Sequence, residues 1–226
     1  MSDAVRNDLT IYDAAADTWW ADDTRWVRTL RNLVPARLGY FDRFVDWNGL
    51  RVLDLGCAGG FMSEALHDRG AIVHGIDPAA RAIDAARQHA IAVGKSIDYR
   101  AGVGEDLPYD DGSFDAVVCV DVLEHVTSLS GTVREIARVL KPGGWLMFDT
   151  INRNPLARFL SITVAEDLLC LLPRGTHDPD LFIKPAELTR ELSAAGLSAG
   201  PMTGLGPWGV NRRFDLVFGT VPTTAV

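Results

Sequence analysis

Arg51-Val52-Leu53-Asp54-Leu55-Gly56-Cys57-Ala58-Gly59-Gly60 is an apolar run carrying one carboxylate and closed by a glycine-rich turn. The pattern predicts a buried strand, a turn where backbone can approach a ligand closely, and then a helix. That is the opening of a nucleotide-type cofactor site. Asp54 narrows the choice of cofactor. A dinucleotide site meets a pyrophosphate with backbone N–H groups and a helix N-terminus, and a carboxylate two residues before the first glycine repels it. S-adenosylmethionine (SAM) has no phosphate and carries an ammonium and a sulfonium. A carboxylate at the strand end suits such a cation. Cys57 and Gly59 belong to the same loop.

Working outward, Ala71-Ile72-Val73-His74-Gly75-Ile76-Asp77 reads as a second strand ending in a carboxylate, with Pro78 next to it. A ribose-binding acid is expected about 20 residues past the glycine loop, where Asp77 stands. Beyond it, strands are expected at 97–101, 115–120 and 144–150, besides 51–55 and 71–76. Helices are expected at 60–69, 78–93 and 130–139. The alternation predicts an α/β fold, a parallel sheet with helices on both faces. Lys141-Pro142-Gly143-Gly144 punctuates the chain between a helix and a strand. Residues 8–46 read as N-terminal helices with aromatic anchors that could cover a cleft, and 151–184 as an insertion. Pro185 to Ala195 reads as a further helix, and 200–220 as two last strands. The whole, 1–226, is taken as one domain.

Composition bounds the function. The chain has 226 residues, 47% of them hydrophobic, and a formal net charge of −8. That supports a sizeable core and, with no long Lys/Arg run, argues against nucleic acid as partner. Cys57, Cys119 and Cys170 are an odd, widely spaced set, the pattern of reduced thiols in the cytoplasm. Met1 to Thr10 is polar and lacks a signal-peptide core. Residues 153–174 mix apolar side chains with Arg153, Arg158 and Arg174. They suit either a membrane surface or a lid over the site; the apolar run within them, Phe159 to Leu172, is broken by Glu166 and Asp167 and is too short and charged to span a bilayer.

Asp121-Val122-Leu123-Glu124-His125 follows the fourth strand directly, where ligands sit in doubly wound sheets. If Asp121 opens a helical turn, positions i, i+3 and i+4 share one face. Two carboxylates and an imidazole there could hold Mg²⁺, Mn²⁺ or Zn²⁺. Alternatively, His125 acts as a general base on a phenol, or these residues merely cap a turn. Gly104 and Glu105, in the loop after the third strand, stand where a carboxylate can accept from the amine of adenine.

The chain resembles the ubiquinone-biosynthesis O-methyltransferases, within the class I SAM-dependent methyltransferases. The resemblance rests on Trp19-Trp20, Pro35-Ala36-Arg37-Leu38-Gly39-Tyr40, Val52 to Cys57 and Asp121 to Val126. Gly175-Thr176-His177-Asp178 and Phe182-Ile183-Lys184-Pro185 add to it. It implies a Rossmann-like, seven-stranded, mostly parallel sheet whose last strand is antiparallel. It implies that Arg37, Gly56, Asp77 and Val120 contact SAM and that Asp121, Glu124 and His125 bind a divalent cation, Mg²⁺ before Mn²⁺ or Zn²⁺. The implied acceptor is a catechol-like aromatic ring, a quinone precursor, with the insertion meeting lipid at the inner face of the membrane. Asp121 stands where the family usually has Glu, Ala58 where Gly is common, and the chain after Gly204 is shorter. A metal-independent O- or N-methyltransferase of natural-product biosynthesis with His125 as base is the alternative. A SAM-binding protein without turnover and an NAD dehydrogenase are the further rivals.

Overall fold

The computed structural model describes residues 7–221; the polar start Met1 to Arg6 and the end Pro222 to Val226 lie outside the described residues. The chain opens with a short helix α1 (Thr10–Ala14), a 3-10 turn (Ala16–Thr18) and a long helix α2 (Arg25–Phe41). Then β1 (Arg51–Leu55), α3 (Phe61–His67), β2 (Ile72–Asp77), α4 (Ala80–Ala92), β3 (Asp98–Ala101), β4 (Phe114–Cys119), α5 (Leu129–Val139) and β5 (Leu140–Phe148) alternate. These five strands form one parallel sheet in the order β3-β2-β1-β4-β5.

The strands are apolar because both faces are covered. Val52, Val73, Ala116, Val118 and Met147 pack with α2 and α3 on one side. Leu53, Leu55, Ile76, Val117 and Cys119 pack with α5 and α7 (Pro185–Ala194) on the other. Residues one apart thus enter opposite cores, the period of two of a strand. The register pairs Leu55 with both Ile76 and Cys119, and Asp77 with Ala101. The carboxyl ends of β1, β2 and β4 therefore share one rim. The order reverses at β1, where β2 and β4 lead away on opposite sides, and ligands sit at such a switch point.

Two expectations need correction. The expected turn Lys141-Pro142-Gly143-Gly144 lies inside β5 as an irregularity: Phe114 pairs with Leu140 and Ala116 already with Trp145. The expected seven-stranded sheet is five strands plus a separate antiparallel pair, β6 (Gly204–Val210) and β7 (Leu216–Val221). The sequence of β6, Gly-Leu-Gly-Pro-Trp-Gly-Val, suits a short separate ribbon with a break in its register. Glycines leave little to pack and Pro207 offers no donor, with a register shift between Pro207 and Gly209.

The insertion is pinned at its base by a bridge between Asn152 and Ile183. Asn154 caps α6 (Pro155–Arg158), its side chain accepting from Ala157 N at 2.7 Å. The chain continues as a π-helix, Phe159–Leu168. Among the described residues no helix is long and apolar enough to cross a membrane.

Candidate active site

The glycine loop folds over the end of β2. Gly56 N and Cys57 N both donate to Ile76 O, at 2.8 and 3.2 Å. Gly56, with φ +76°, would be strained as any other residue: an added Cβ would lie 2.1 Å from Val122 Cγ2, which would have to shift. Asp54, almost wholly buried, accepts from Ser63 Oγ at 2.5 Å, and its Oδ1 has no partner. Asp77 accepts from Ala58 N at 2.9 Å and Ala79 N at 2.8 Å. Burial pushes Asp54 up to about 7 and Asp77 up to about 6. Two such carboxylates beside a glycine loop fit a ligand that brings positive charge. Burial also pushes the Cys57 thiol up, so that side chain fills space and is no nucleophile.

The other expected contacts are scattered. Val120 is buried at the rim and Pro78 is exposed. Gly104 is buried, and a Cβ there would press on Thr132 at 3.1 Å. Glu105 turns to the start of α5, accepting from Thr127 N and Oγ1 at 2.8 Å each. Its Oε1 thus anchors that turn.

The N-terminal segment closes over the rim. The Trp19 indole lies on Gly59, where a Cβ would be 2.2 Å from the ring. Trp20 Nε1 donates to Gly59 O at 3.0 Å, and its ring stacks on His89 with centroids 3.5 Å apart. Asp13 accepts from Arg81 N. Burial, then the charges of Asp121, Asp77 and Glu124, raise the Tyr12 phenol and keep it protonated.

The three expected metal ligands do not converge. Asp121 has φ +52°, so no helical turn begins there and the i, i+3, i+4 face does not form. Its Oδ2 lies 2.5 Å from Arg37 Nη2, while Arg37 Nε donates to Asp149 Oδ2 at 2.5 Å and Asp121 N donates to Asp149 Oδ1 at 2.8 Å. Burial opposes the Asp121 charge, but Arg37 outweighs it and holds that carboxyl below the usual range. Glu124 Oε2 accepts from Thr150 Oγ1 at 2.9 Å. Burial and the Asp121 charge push Glu124 up to about 8, and its Oε1 is buried without a partner. His125 Nδ1 lies 2.5 Å from Asn7 Oδ1, and Asn7 Nδ2 donates to His125 O at 3.4 Å. That amide orientation makes Nδ1 the donor and leaves Nε2, which is buried without a partner, as the lone-pair nitrogen. Burial, then His177, pushes His125 down to about 4. Among the described residues no three His, Cys, Asp or Glu are grouped to hold an ion. The expected divalent cation finds no support in this arrangement: Arg37 holds the Asp121 carboxylate, and of the three residues only Glu124 Oε1 and His125 Nε2 are left buried without partners.

Beside this rim lies a cavity of about 1310 Å³, walled by α2, the β5 edge, the β6–β7 pair and the insertion. Leu33, Phe44, Leu160, Val164 and Phe218 line it. Arg37, Asp121, Thr150, Tyr12 and His177 face it as well. His177 and its neighbour Glu166 were passed over as chemistry in the sequence, where Glu166 only marks a break in an apolar run. A buried acid eleven residues before a histidine carries no spacing rule.

Residues 53–148 match the family model described as a methyltransferase domain. The chain is 40% identical over 217 residues to a ubiquinone biosynthesis O-methyltransferase of Chromobacterium violaceum, spanning 96% of this chain and 93% of that one. It is 41% identical over 206 residues to the namesake of Thiobacillus denitrificans, spanning 91% and 88%. The chain belongs to the ubiquinone biosynthesis O-methyltransferase family. The family's fold is shared with more distant solved structures. The magnesium protoporphyrin IX methyltransferase of Synechocystis PCC 6803, solved with bound SAH, superposes with a TM-score of 0.65 at 22% identity over 93% of this chain and 92% of that one. A SAM-dependent methyltransferase from Thermotoga maritima gives 0.64 at 18%, over 93% and 91%. As a member of the family the protein is a SAM-dependent methyltransferase.

Proposed function

We propose that the protein methylates one hydroxyl of a catechol-like aromatic acceptor carrying a long apolar tail, a quinone precursor. The observation that carries this reading is the large apolar cavity, which opens directly onto Arg37, Asp121 and His177 at the sheet rim. A pocket for a bare ring needs far less room, since small-ligand sites commonly measure about 300–1,000 Å³. The relatives' name, ubiquinone biosynthesis O-methyltransferase, points to the same class of acceptor.

SAM supplies an electrophilic methyl group on a sulfonium. Asp77 stands where the ribose is expected, and the buried Asp54 adds negative charge beside the loop. Arg37 fixes Asp121 and Asp149 at the boundary between the donor site and the cavity. The protein's main contribution is alignment of donor and acceptor in a space that the N-terminal segment shields from water.

Peripheral contact with a membrane fits the same picture. Leu156, Phe159, Leu160, Leu168 and Leu169 are exposed on the insertion, and Leu160 and Leu169 also line the cavity. A tail could pass from a bilayer surface along these side chains.

The test is a panel of catechols with and without a polyprenyl tail, incubated with SAM in the presence and absence of chelator and read by product mass. Methylation of tailed acceptors at lower KM than bare ones is expected, with chelator having little effect. Methylation of nitrogen, or SAM binding without any transfer, would overturn the reading.

A further inference from the structure

We propose that His177 is the proton acceptor of the transfer, with Glu166 as the residue that positions it. The inference rests on the reading of the protein as an O-methyltransferase of an aromatic hydroxyl.

Glu166 is buried in the π-helix of the insertion, 2% exposed. Its Oε2 accepts from Gly175 N at 2.9 Å, and its Oε1 accepts from His177 N at 3.0 Å. The same Oε1 lies 2.8 Å from His177 Nδ1. An oxygen already accepting from a backbone N–H needs a donor on the ring, so Nδ1 carries the proton and Nε2 keeps its lone pair. Among the described residues no hydrogen bond engages Nε2, and the residue faces the cavity beside Asp121. π-helical segments often mark functional sites, and this one brings a carboxylate to an imidazole across a buried loop.

His125 is the competing base, and geometry disfavours it. The two rings stack with centroids 5.3 Å apart. His125 does not line the cavity, and its Nδ1 partner is a neutral amide. His177 has a carboxylate on its Nδ1, which stabilises the imidazolium as it forms. In the step, the acceptor oxygen bonds to the methyl carbon as the carbon–sulfur bond breaks. That electron pair stays on sulfur, which becomes a neutral thioether. The hydroxyl proton moves to His177 Nε2, leaving an imidazolium beside the Glu166 carboxylate until it passes to water.

The test uses the full chain with two acceptors, an unsubstituted catechol and a nitrocatechol whose hydroxyl is already ionised at the assay pH. His177→Asn can keep a donor toward Glu166 and lacks the distal nitrogen. With catechol its kcat should fall about 100-fold or more, with SAM affinity by calorimetry and the circular dichroism spectrum unchanged. With nitrocatechol, which needs no base, the loss should nearly disappear. Glu166→Gln should lower kcat with catechol, leave both KM values in place, and spare nitrocatechol in the same way. Equal losses on both acceptors, or a His177→Asn kcat within threefold of wild type, would overturn the proposal. Wild type that methylates neither catechol would overturn the acceptor class itself, and the base assignment with it.

Discussion

Arg37 reaches Asp121 through Nη2 and Asp149 through Nε, each at 2.5 Å, and its own side chain is nearly inaccessible. One guanidinium therefore bridges two carboxylates at the edge of the cavity. The pairing ties α2 to the ends of β4 and β5, elements far apart in sequence. Removing the cation leaves both acids without their counter-charge. Arg37→Met should destabilise the protein by about 3–5 kcal/mol in urea titration, even without SAM. Arg37→Lys, which keeps the charge but not the fork, should recover part of that. A midpoint unchanged by Arg37→Met would show that the pair contributes nothing to the fold.

Asp77 sits where the ribose hydroxyls of SAM are expected and accepts from two backbone amides of the surrounding loops. Asp77→Ala should weaken SAM binding by about 2–4 kcal/mol, from lost charge-assisted bonds and the two amides left unpaired. Calorimetry is the direct measurement, and unchanged affinity would remove Asp77 from the site.

SAM binding should expel protons. Asp54 and Asp77 are raised by burial to about 7 and about 6, and a bound cation favours their ionised forms. Affinity should therefore rise with pH between roughly 5 and 7 and level off above. Titration at pH 6.5 in buffers of different ionisation enthalpy should show release on the order of one proton. The free protein shows the opposite sign. These acids hold protons more tightly folded than unfolded, so their stabilising effect is complete below about pH 4 and is lost as pH rises through about 7. A slope of zero in the buffer series would place the cation elsewhere.

The exposed apolar side chains of the insertion, with Arg158 among them, should give weak binding to vesicles containing anionic lipid, reduced by salt. Phe159→Glu together with Leu168→Glu should abolish co-sedimentation while leaving turnover of a water-soluble catechol intact. Equal binding to neutral vesicles at high salt would remove the electrostatic part of the idea.

The sheet was legible because buried parallel strands leave uninterrupted apolar runs. Leu53 and Val117 are apolar for the same reason, and each strand boundary fell within a few residues of its expected place. The glycine loop was legible because its backbone conformation is set locally, and the carboxylate of Asp77 because it closes an apolar strand run. The last two strands were read as strands from residues 200–220, yet their partner was not. Pairing depends on which edge is near, and Gly204, Gly206, Gly209 and Pro207 give β6 little hold on the β5 edge.

The metal set failed for a local reason with a distant cause. Three ligands at i, i+3 and i+4 require helical backbone at Asp121, which is instead left-handed, with its carboxylate drawn to Arg37. By itself the sequence determined a doubly covered parallel sheet, a glycine-rich loop at the end of its first strand and an aromatic N-terminal cover, because each follows from local pattern and spacing. Only the tertiary structure decided which charges meet. Arg37 is 84 residues from Asp121 and 112 from Asp149, and Glu166 reaches His177 through a π-helix and a buried loop. Such pairings are chosen by packing and desolvation, which have no period along the chain.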